Sequence, residues 1–447
     1  MYRRFLPIVL ISCLFHAEAI CAASHAATRA ADQDPVFDQI DSIVQTLSQI
    51  TGLPAKHAVP YGQMTKEELR HFLNKRIKKT IKPSEIRADE LSLKMFGLVP
   101  QNFDLRQSTL DLLTEQAAAF YDYDAKKLFL LAGSSPEAET TTLAHELSHA
   151  LADQYFHLDK FMGNTSANDD EELARTAVVE GQASWLMIAY DLKQANRPPA
   201  PTREMLRAEE DADSASASDY PVLTAAPLYI RQSLLFPYTA GTLFFDAVYR
   251  KMGQAAFRYV FTNPPTDTAQ IIHPERYFAK IDATVPDLPD VKLSHRKKEI
   301  TSGDLGEFDH KILLQQYLGL AKAKALSPHL LGANYTIVPA GKRHQPVLEY
   351  VSEWDAPANA SAFFSDYKQV LRKKWKHCDS SLSTPHTFAG TGDNGLFVTH
   401  VSGKSVWSIE GIRDTKDWTR LEDIAEARTV SMLLPPAGKC NVRIGLH

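Results

Sequence analysis

Apolar residues recur with helical spacing in the first part of the chain. Between residues 34 and 77 they fall every three or four positions on one face, which predicts amphipathic helices. The residues that carry this pattern most clearly are Ile40, Ile43, Val44 and Leu47. Such helices are typical of a folded scaffold.

The pattern changes shortly before residue 120. Two β-prone runs, Phe120–Tyr121 and Leu128–Leu131, flank a polar turn at residues 122–126, and this arrangement predicts a hairpin or an edge strand. Helical spacing then resumes, because no glycine or proline interrupts residues 137–158 and the apolar positions again lie one turn apart.

The remainder of the chain mixes both patterns after a linker at residues 284–300. The predicted elements are a helix at 307–323, a strand near 347–352, a helix at 360–375, a hairpin turning at Gly403, a helix near Leu421, and a strand that begins at Cys440. We therefore expect an α+β protein with a mostly helical domain over residues 34–284 and a smaller α+β accessory domain over residues 300–447.

The first 23 residues have the plan of a secretory signal peptide. Arg3 and Arg4 precede an apolar run over Phe5–Phe15, and small residues follow near Ala23. The run is shorter than the roughly 20 residues of a membrane-spanning helix, and no later stretch is long enough. We expect an exported protein, periplasmic or secreted, without a membrane span; lipid attachment at Cys21 is the alternative.

The composition of the chain argues against nucleic acid as a partner. The chain has 447 residues, 44% of them hydrophobic, and a net charge of only −5, so no basic surface predicts nucleic-acid binding. Outside the predicted signal peptide, Cys378 and Cys440 are the cysteines of the sequence. In an exported protein they can form a disulfide, or they can be two buried free thiols.

The sequence HELSH places His145, Glu146 and His149 in the long helical stretch. The two histidines are four residues apart and so share one face of a helix, while Glu146 lies about 100° further round it. Zinc prefers neutral imidazoles, a further protein ligand and an open position for water. The motif alone also occurs by chance, so an ordinary helix with surface histidines remains the alternative.

Glu180 is the candidate for the third metal ligand. It follows Ala177 and Val178 in a helical stretch that otherwise predicts burial, where a carboxylate needs a partner. The adjacent Gly181 lets another backbone approach closely, as expected for a helix packed against the metal helix. The alternative is that Glu180 faces solvent at a bend.

These motifs together resemble the gluzincins, the thermolysin-like branch of zinc metallopeptidases. The sequence is most similar to a group of exported bacterial metallopeptidases, through FYD, HELSHALADQ, VEGQA, FPYTAG and HPERY, and the resemblance covers about residues 34–277. It implies a zincin-like fold with zinc bound by His145, His149 and Glu180. It also implies that Glu146 is the base that takes a proton from the attacking water.

The resemblance implies further roles downstream. Tyr238 and His273 are candidates to donate a hydrogen bond to the oxyanion, although either can be structural instead. Ser184 stands where thermolysin has an aspartate that orients a ligand histidine. Asp153 is our candidate substitute for that carboxylate, or a plain surface charge. By analogy, Leu128–Leu131 would form the cleft edge to which an extended peptide adds.

The sequence thus predicts an exported zinc metallopeptidase that acts on peptides or proteins. A protein with the same cleft could instead hold a peptide or protein partner without cutting it. A purely structural zinc is a poorer interpretation, because Glu146 would then have no role.

Overall fold

The computed structural model describes residues 11–12, 37–131, 136–163, 169–207, 220–289, 291–413 and 418–420. Most of the predicted signal peptide lies outside these ranges, as do Cys440, the predicted helix near Leu421 and the predicted terminal strand. The disulfide between Cys378 and Cys440 therefore remains a prediction. Among the described residues, no helix combines the length and the apolar character that crossing a membrane requires.

The protein is a mixed α+β structure made of two compact units. Unit 1 comprises the chain up to Glu90 together with Val99–Asp282, and unit 2 comprises Leu91–Leu98 together with the chain from Ala283 onwards. The assignment of Leu91–Leu98 to unit 2 was not predicted from the sequence.

Unit 1 is mainly helical. Its longer helices, with α3 continuing into unit 2, are α1 (Ile40–Thr51), α2 (Lys66–Thr80), α3 (Pro83–Phe96), α4 (Leu105–Gln116), α5 (Pro136–Phe156), α7 (Asp169–Gln194) and α10 (Leu228–Met252). The shorter ones are α6 (Leu158–Gly163), α8 (203–207), α9 (Pro221–Ala225), α11 (Ala256–Thr262), α12 (Thr268–Ile272) and α13 (Pro274–Ala279).

A four-stranded sheet accompanies these helices. Its strands are β1 (Ile11–Ser12), β2 (Tyr61–Met64), β3 (Ala119–Asp122) and β4 (Lys127–Leu131), in the order β1-β3-β4-β2. The predicted hairpin is confirmed, since β3 pairs antiparallel with β4. Strand β2 interrupts the region 34–77, for which the sequence predicted helices alone, because extended residues 61–64 pair in parallel with β4.

The pairing of β4 corrects one expectation. Leu128–Leu131 is paired on both sides, with β3 and with β2, so it has no free edge for a substrate strand. The prediction of a cleft edge at this strand was therefore wrong. On the side of β3 away from β4, the described neighbour is the two-residue strand β1, which occupies the outer position there.

The side chains of β3 alternate between the two faces of the sheet, and each face contacts a helix. Phe120 stacks on Phe129 of β4 and contacts Phe72 of α2, with ring centroids 5.1 and 5.4 Å apart respectively. On the opposite face, Tyr121 is buried and reaches Asp153 of α5. The hairpin is thus fixed to the helix that carries the histidine motif.

Unit 2 contains a seven-stranded sheet with every pair antiparallel. Its strands are β6 (Thr301–Asp304), β7 (Leu330–Ala340), β8 (Gln345–Trp354), β9 (Cys378–Ser383), β10 (Thr387–Gly392), β11 (Gly395–Ser402) and β12 (Ser405–Ile412), in the order β6-β7-β8-β12-β11-β10-β9. A separate short pair joins β5 (Lys292–Leu293) to β13 (Trp418–Arg420).

Three helices accompany the large sheet: α14 (Glu307–Leu318), α15 (Leu320–Leu326) and α16 (Pro357–Lys374). Helix α16 packs on the middle of the sheet, against β8, β11 and β12. The predicted helix 360–375 and the hairpin turning at Gly403 are confirmed. The helix predicted over 307–323 is divided at Gly319, whose φ of 93° ends α14.

The segment Leu91–Leu98 contributes to the core of unit 2. Phe96 packs edge-on against Tyr335 and Tyr350, at centroid distances of 5.3 and 5.6 Å. The backbone oxygen of Met95 accepts a hydrogen bond from Lys374, whose buried ammonium also pairs with Glu410 at 2.6 Å. A buried cation is stable only when it is paired in this way.

Candidate metal centre

The histidine motif lies in the middle of α5, the helix predicted for it. Leu143 and Leu147 are fully buried on this helix, and His145 and His149 are also buried, with 0 and 1% of their surfaces exposed. Imidazoles on a surface helix would face water, so the burial argues against the interpretation of HELSH as a solvated surface motif.

Helix α7 brings Glu180 to the two histidines. Its Oε2 atom lies 3.2 Å from Nε2 of His145 and 3.4 Å from Nε2 of His149, and the two nitrogens are 3.0 Å apart. Glu180 is only 2% exposed, so the alternative in which it faces solvent is excluded. Three polar atoms from two helices thus form a nearly equilateral triangle.

The charges in this triangle stabilise one another. Burial by itself raises the pKa of Glu180, but the adjacent imidazoles of His149 and His145 outweigh it and lower the pKa to about 2. Burial likewise lowers the pKa of His149, whereas the carboxylates of Glu180, Glu146 and Asp153 raise it, with a net upward shift. The pocket therefore favours a positive charge beside an ionised Glu180.

Glu146 is the remaining polar residue of the motif. It is fully buried, immediately after His145, and its charge is close enough to His149 to act on the pKa of that imidazole. It does not belong to the metal-ligand triangle, which consists of His145, His149 and Glu180. The predicted role of Glu146 as a base remains a prediction.

A close crossing of α7 and α10 lies beside the triangle. A Cβ atom built on Gly181 would lie 2.1 Å from the carbonyl carbon of Gly241, and one built on Gly241 would lie 2.3 Å from the oxygen of Ala177. The expectation that Gly181 admits another backbone is supported, but the approaching helix is α10 rather than the metal helix. A side chain at either glycine would separate the two helices.

The crossing places Tyr238 next to the triangle of His145, His149 and Glu180. Its ring lies nearly parallel to that of His145, with centroids 6.1 Å apart and an angle of 28° between the planes. Tyr238 is 8% exposed and lies in the turn after Pro237, in the interior of α10. The structure therefore brings this candidate donor to the site.

His273 is not brought into the triangle. It lies between α12 and α13, and its Nδ1 atom is 3.7 Å from the carboxylate of Glu275. The side chain of His273 is 24% exposed. His273 thus lies at the junction of two helices, and its catalytic role remains a prediction.

Asp153 has a different role from the predicted one. It accepts hydrogen bonds from Tyr121, Lys126 and the backbone N–H of Leu158, and none of its described hydrogen bonds involves a histidine. It is therefore neither the carboxylate that fixes a histidine tautomer nor a plain surface charge, because it is 3% exposed. Ser184 is also buried, at 8% exposed.

The donor set fits zinc. Zinc binds histidine nitrogen and carboxylate oxygen at about 2.0–2.2 Å, so tetrahedral ligand atoms lie about 3.3–3.6 Å from one another. The observed separations of 3.0, 3.2 and 3.4 Å lie within this range or slightly below it. Among the described residues, one group of three or more potential metal ligands comes together, and it is this triangle.

Comparison with known proteins does not assign a family. No protein-family model, no curated protein and no solved structure matches this chain. The chemistry of the site therefore has to be argued from its own residues.

Two features of the site were missed from the sequence. Gly241 carries a weak signal, as a small residue in the apolar run of α10, but nothing in the sequence pairs it with Gly181. The contact between Tyr121 and Asp153 joins residues far apart in the chain, and the pattern of a single sequence does not contain it.

Proposed function

We propose that this protein is an exported, zinc-dependent metallopeptidase that hydrolyses peptide bonds. The observation that carries the proposal is the triangle of His145, His149 and Glu180 at tetrahedral ligand spacing, with the buried carboxylate of Glu146 next to it. A site that only held a metal would not need a second buried carboxylate.

A zinc ion bound by the triangle would supply a Lewis acid that polarises the substrate carbonyl and lowers the pKa of water. The described part of the chain offers three protein ligands rather than four, which is the number typical of catalytic rather than structural zinc sites. Glu146 would accept a proton from the attacking water and return it to the departing amine. Its burial keeps that carboxylate away from competing bulk water.

Tyr238 supports the same proposal. Negative charge develops on the carbonyl oxygen during attack, and a phenolic hydroxyl can donate a hydrogen bond to it. The ring is held alongside His145 by the crossing of α7 and α10. We assign Tyr238 as the oxyanion donor in preference to His273, which lies against Glu275.

A zincin-like fold for unit 1 also belongs to this proposal. Strand β2, which is parallel to β4, the internal strand β4 and the antiparallel strand β3 precede the metal helix, and α7 supplies the third ligand. The outer side of β3 pairs with Ile11–Ser12, which fall in the predicted signal peptide. After its removal, this edge would be available for an extended peptide.

The test combines metal analysis with a cleavage assay. Purified mature protein should contain one zinc ion per chain and should cleave members of a peptide library. Stoichiometric zinc without cleavage of any peptide would favour a protein that binds a partner in the cleft, and absence of bound metal would overturn the proposal.

A further inference from the structure

Asp153 lies one helical turn beyond the second metal ligand. His149 and Asp153 are four residues apart in α5 and therefore share a face of the helix. Both are buried, at 1 and 3% exposed. A carboxylate in this position is costly unless donors satisfy both of its oxygens.

The donors come from three separate segments. The hydroxyl of Tyr121 in β3 donates to Oδ2 at 2.9 Å, and the backbone N–H of Leu158 at the start of α6 donates to Oδ1 at 2.9 Å. The ammonium of Lys126, in the turn between β3 and β4, lies 2.9 Å from Oδ1 and 2.8 Å from Oδ2. One side chain of the metal helix therefore binds the strand, the hairpin turn and the following helix.

The hydrogen bond between Tyr121 and Asp153 fixes the position of β3 along the axis of α5. Tyr121 lies within the four residues of β3, directly opposite Leu128 of β4. Burial, and then the charge of Asp153, raise the pKa of Tyr121 far above its usual value, so the hydroxyl keeps the proton that it donates. The strand cannot slide along the helix without breaking this bond.

We propose that Asp153 is a positioning residue, which sets the edge of β3 at a defined distance along α5 from the metal ligands. The inference rests on the proposed function, in which β3 aligns the substrate peptide. A shift of a strand by about 1 Å is enough to misplace a long peptide along the strand and to weaken its binding.

The experiment compares Asp153→Asn with Asp159→Asn in the full chain. Asparagine keeps one acceptor oxygen, replaces the other with an NH₂ donor, and removes the charge that pairs with Lys126. Asp159 faces the same Lys126 at 3.6 Å and is half-exposed, which makes it the matched control. Tyr121→Phe removes a single hydrogen bond and serves if Asp153→Asn does not fold.

A dependence on peptide length separates positioning from general stability. For the longest peptide that the wild type cleaves, Asp153→Asn and Tyr121→Phe should raise KM about tenfold and change kcat little. For the shortest cleaved peptide, which contacts less of β3, KM should change less than about threefold. Zinc affinity, measured by competition with a chelator, should stay within about threefold. Equal losses for both peptides, or weakened zinc binding, would overturn the proposal.

Hydrogen exchange tests the same inference without any cleavage. The amides of β3 should exchange about tenfold faster in Asp153→Asn than in Asp159→Asn, while those of residues 145–149 should be unchanged. An equal rise in both segments would show that Asp153 stabilises the fold as a whole, against the proposal. If the wild type cleaves nothing, the proposed function fails, and this measurement still decides whether Asp153 positions β3.

Discussion

Gly181 of α7 and Gly241 of α10 bring two helix backbones into direct contact, with room for no Cβ atom on either side. Each glycine lies close in sequence to a residue of the site, Gly181 immediately after Glu180 and Gly241 one turn after Tyr238. The helix crossing thus connects the proposed third metal ligand to the proposed oxyanion donor.

Replacing either glycine of this crossing by alanine should damage the site. The new methyl group overlaps backbone atoms of the neighbouring helix, and overpacking of this kind typically costs about 1–3 kcal/mol of unfolding free energy. We expect a lower Tm and a loss of activity in Gly241→Ala. Gly163→Ala is the control, because a Cβ atom built there meets no atom within 4 Å. Equal Tm values for the two variants would contradict the crossing.

Replacing Glu146 by glutamine should abolish cleavage and leave the metal in place. The amide has the same shape but cannot accept the proton, so we expect a loss of at least about 100-fold in kcat with zinc content and Tm retained. Glu67→Gln, an exposed change in α2, is the control. Cleavage by Glu146→Gln at a near wild-type rate, with zinc bound, would show that Glu146 is not the base.

Replacing Glu180 by alanine should reduce zinc content itself, because it removes one corner of the ligand triangle. Ligands that bind only the folded state stabilise it, by about 2.7 kcal/mol at 100 times the Kd. A chelator should therefore lower the Tm of the wild type and change that of Glu180→Ala much less. Differential scanning calorimetry with and without chelator measures both shifts, and an undiminished shift in the variant would exclude Glu180 as a ligand.

Replacing Tyr238 by phenylalanine tests the oxyanion donor. Loss of one such donor typically lowers kcat by about 10²–10³-fold, and the ring remains to pack against His145. Zinc content and Tm should be close to those of the wild type. Unchanged kcat would leave Tyr238 as a packing residue, and the same replacement of His273 would then be the next measurement.

His310 in unit 2 should make stability depend on pH. Burial lowers its pKa below the usual value, and the neutral ring donates from Nδ1 to the oxygen of Gly306 and accepts at Nε2 from the hydroxyl of Tyr350. The unfolded chain then binds the proton more readily than the folded one. The stabilisation that the neutral His310 provides is complete above a pH of about 6.5, the pKa of histidine in the unfolded chain. It is lost as the pH falls toward the lower pKa that His310 has in the folded protein.

The measurement is Tm between pH 7 and pH 5 for the wild type, His310→Gln and His386→Gln. His310→Gln should show a smaller fall in Tm over this range, whereas the exposed His386 should make little difference. A fall of the same size in all three proteins would show that protonation of His310 does not limit stability.

The local elements of this fold could be predicted from the sequence, because they depend on neighbouring residues. The spacing of His145 and His149 placed both on one face of α5, and the polar turn before Leu128 gave the hairpin. Glu180 was also found, since a carboxylate among apolar neighbours needs a partner.

Contacts between distant segments could not be predicted in this way. Whether Leu128–Leu131 is an edge depends on β2, some 65 residues earlier in the chain, and a run of four residues gives no sign of that pairing. The role of Asp153 depends likewise on Tyr121. In both cases tertiary packing determines which distant residues come into contact, and the periodicity of one segment carries no information about such contacts.

The membership of Leu91–Leu98 in unit 2 has a consequence for synthesis and for dissection of the chain. This stretch leaves the ribosome long before Ala283, so the core around Phe96 cannot be completed until the rest of unit 2 has been made. A fragment cut at the apparent boundary would lack Phe96 and the Met95 oxygen that receives Lys374. Unit 2 is therefore discontinuous in the sequence, and its core includes Leu91–Leu98 from within the span of unit 1.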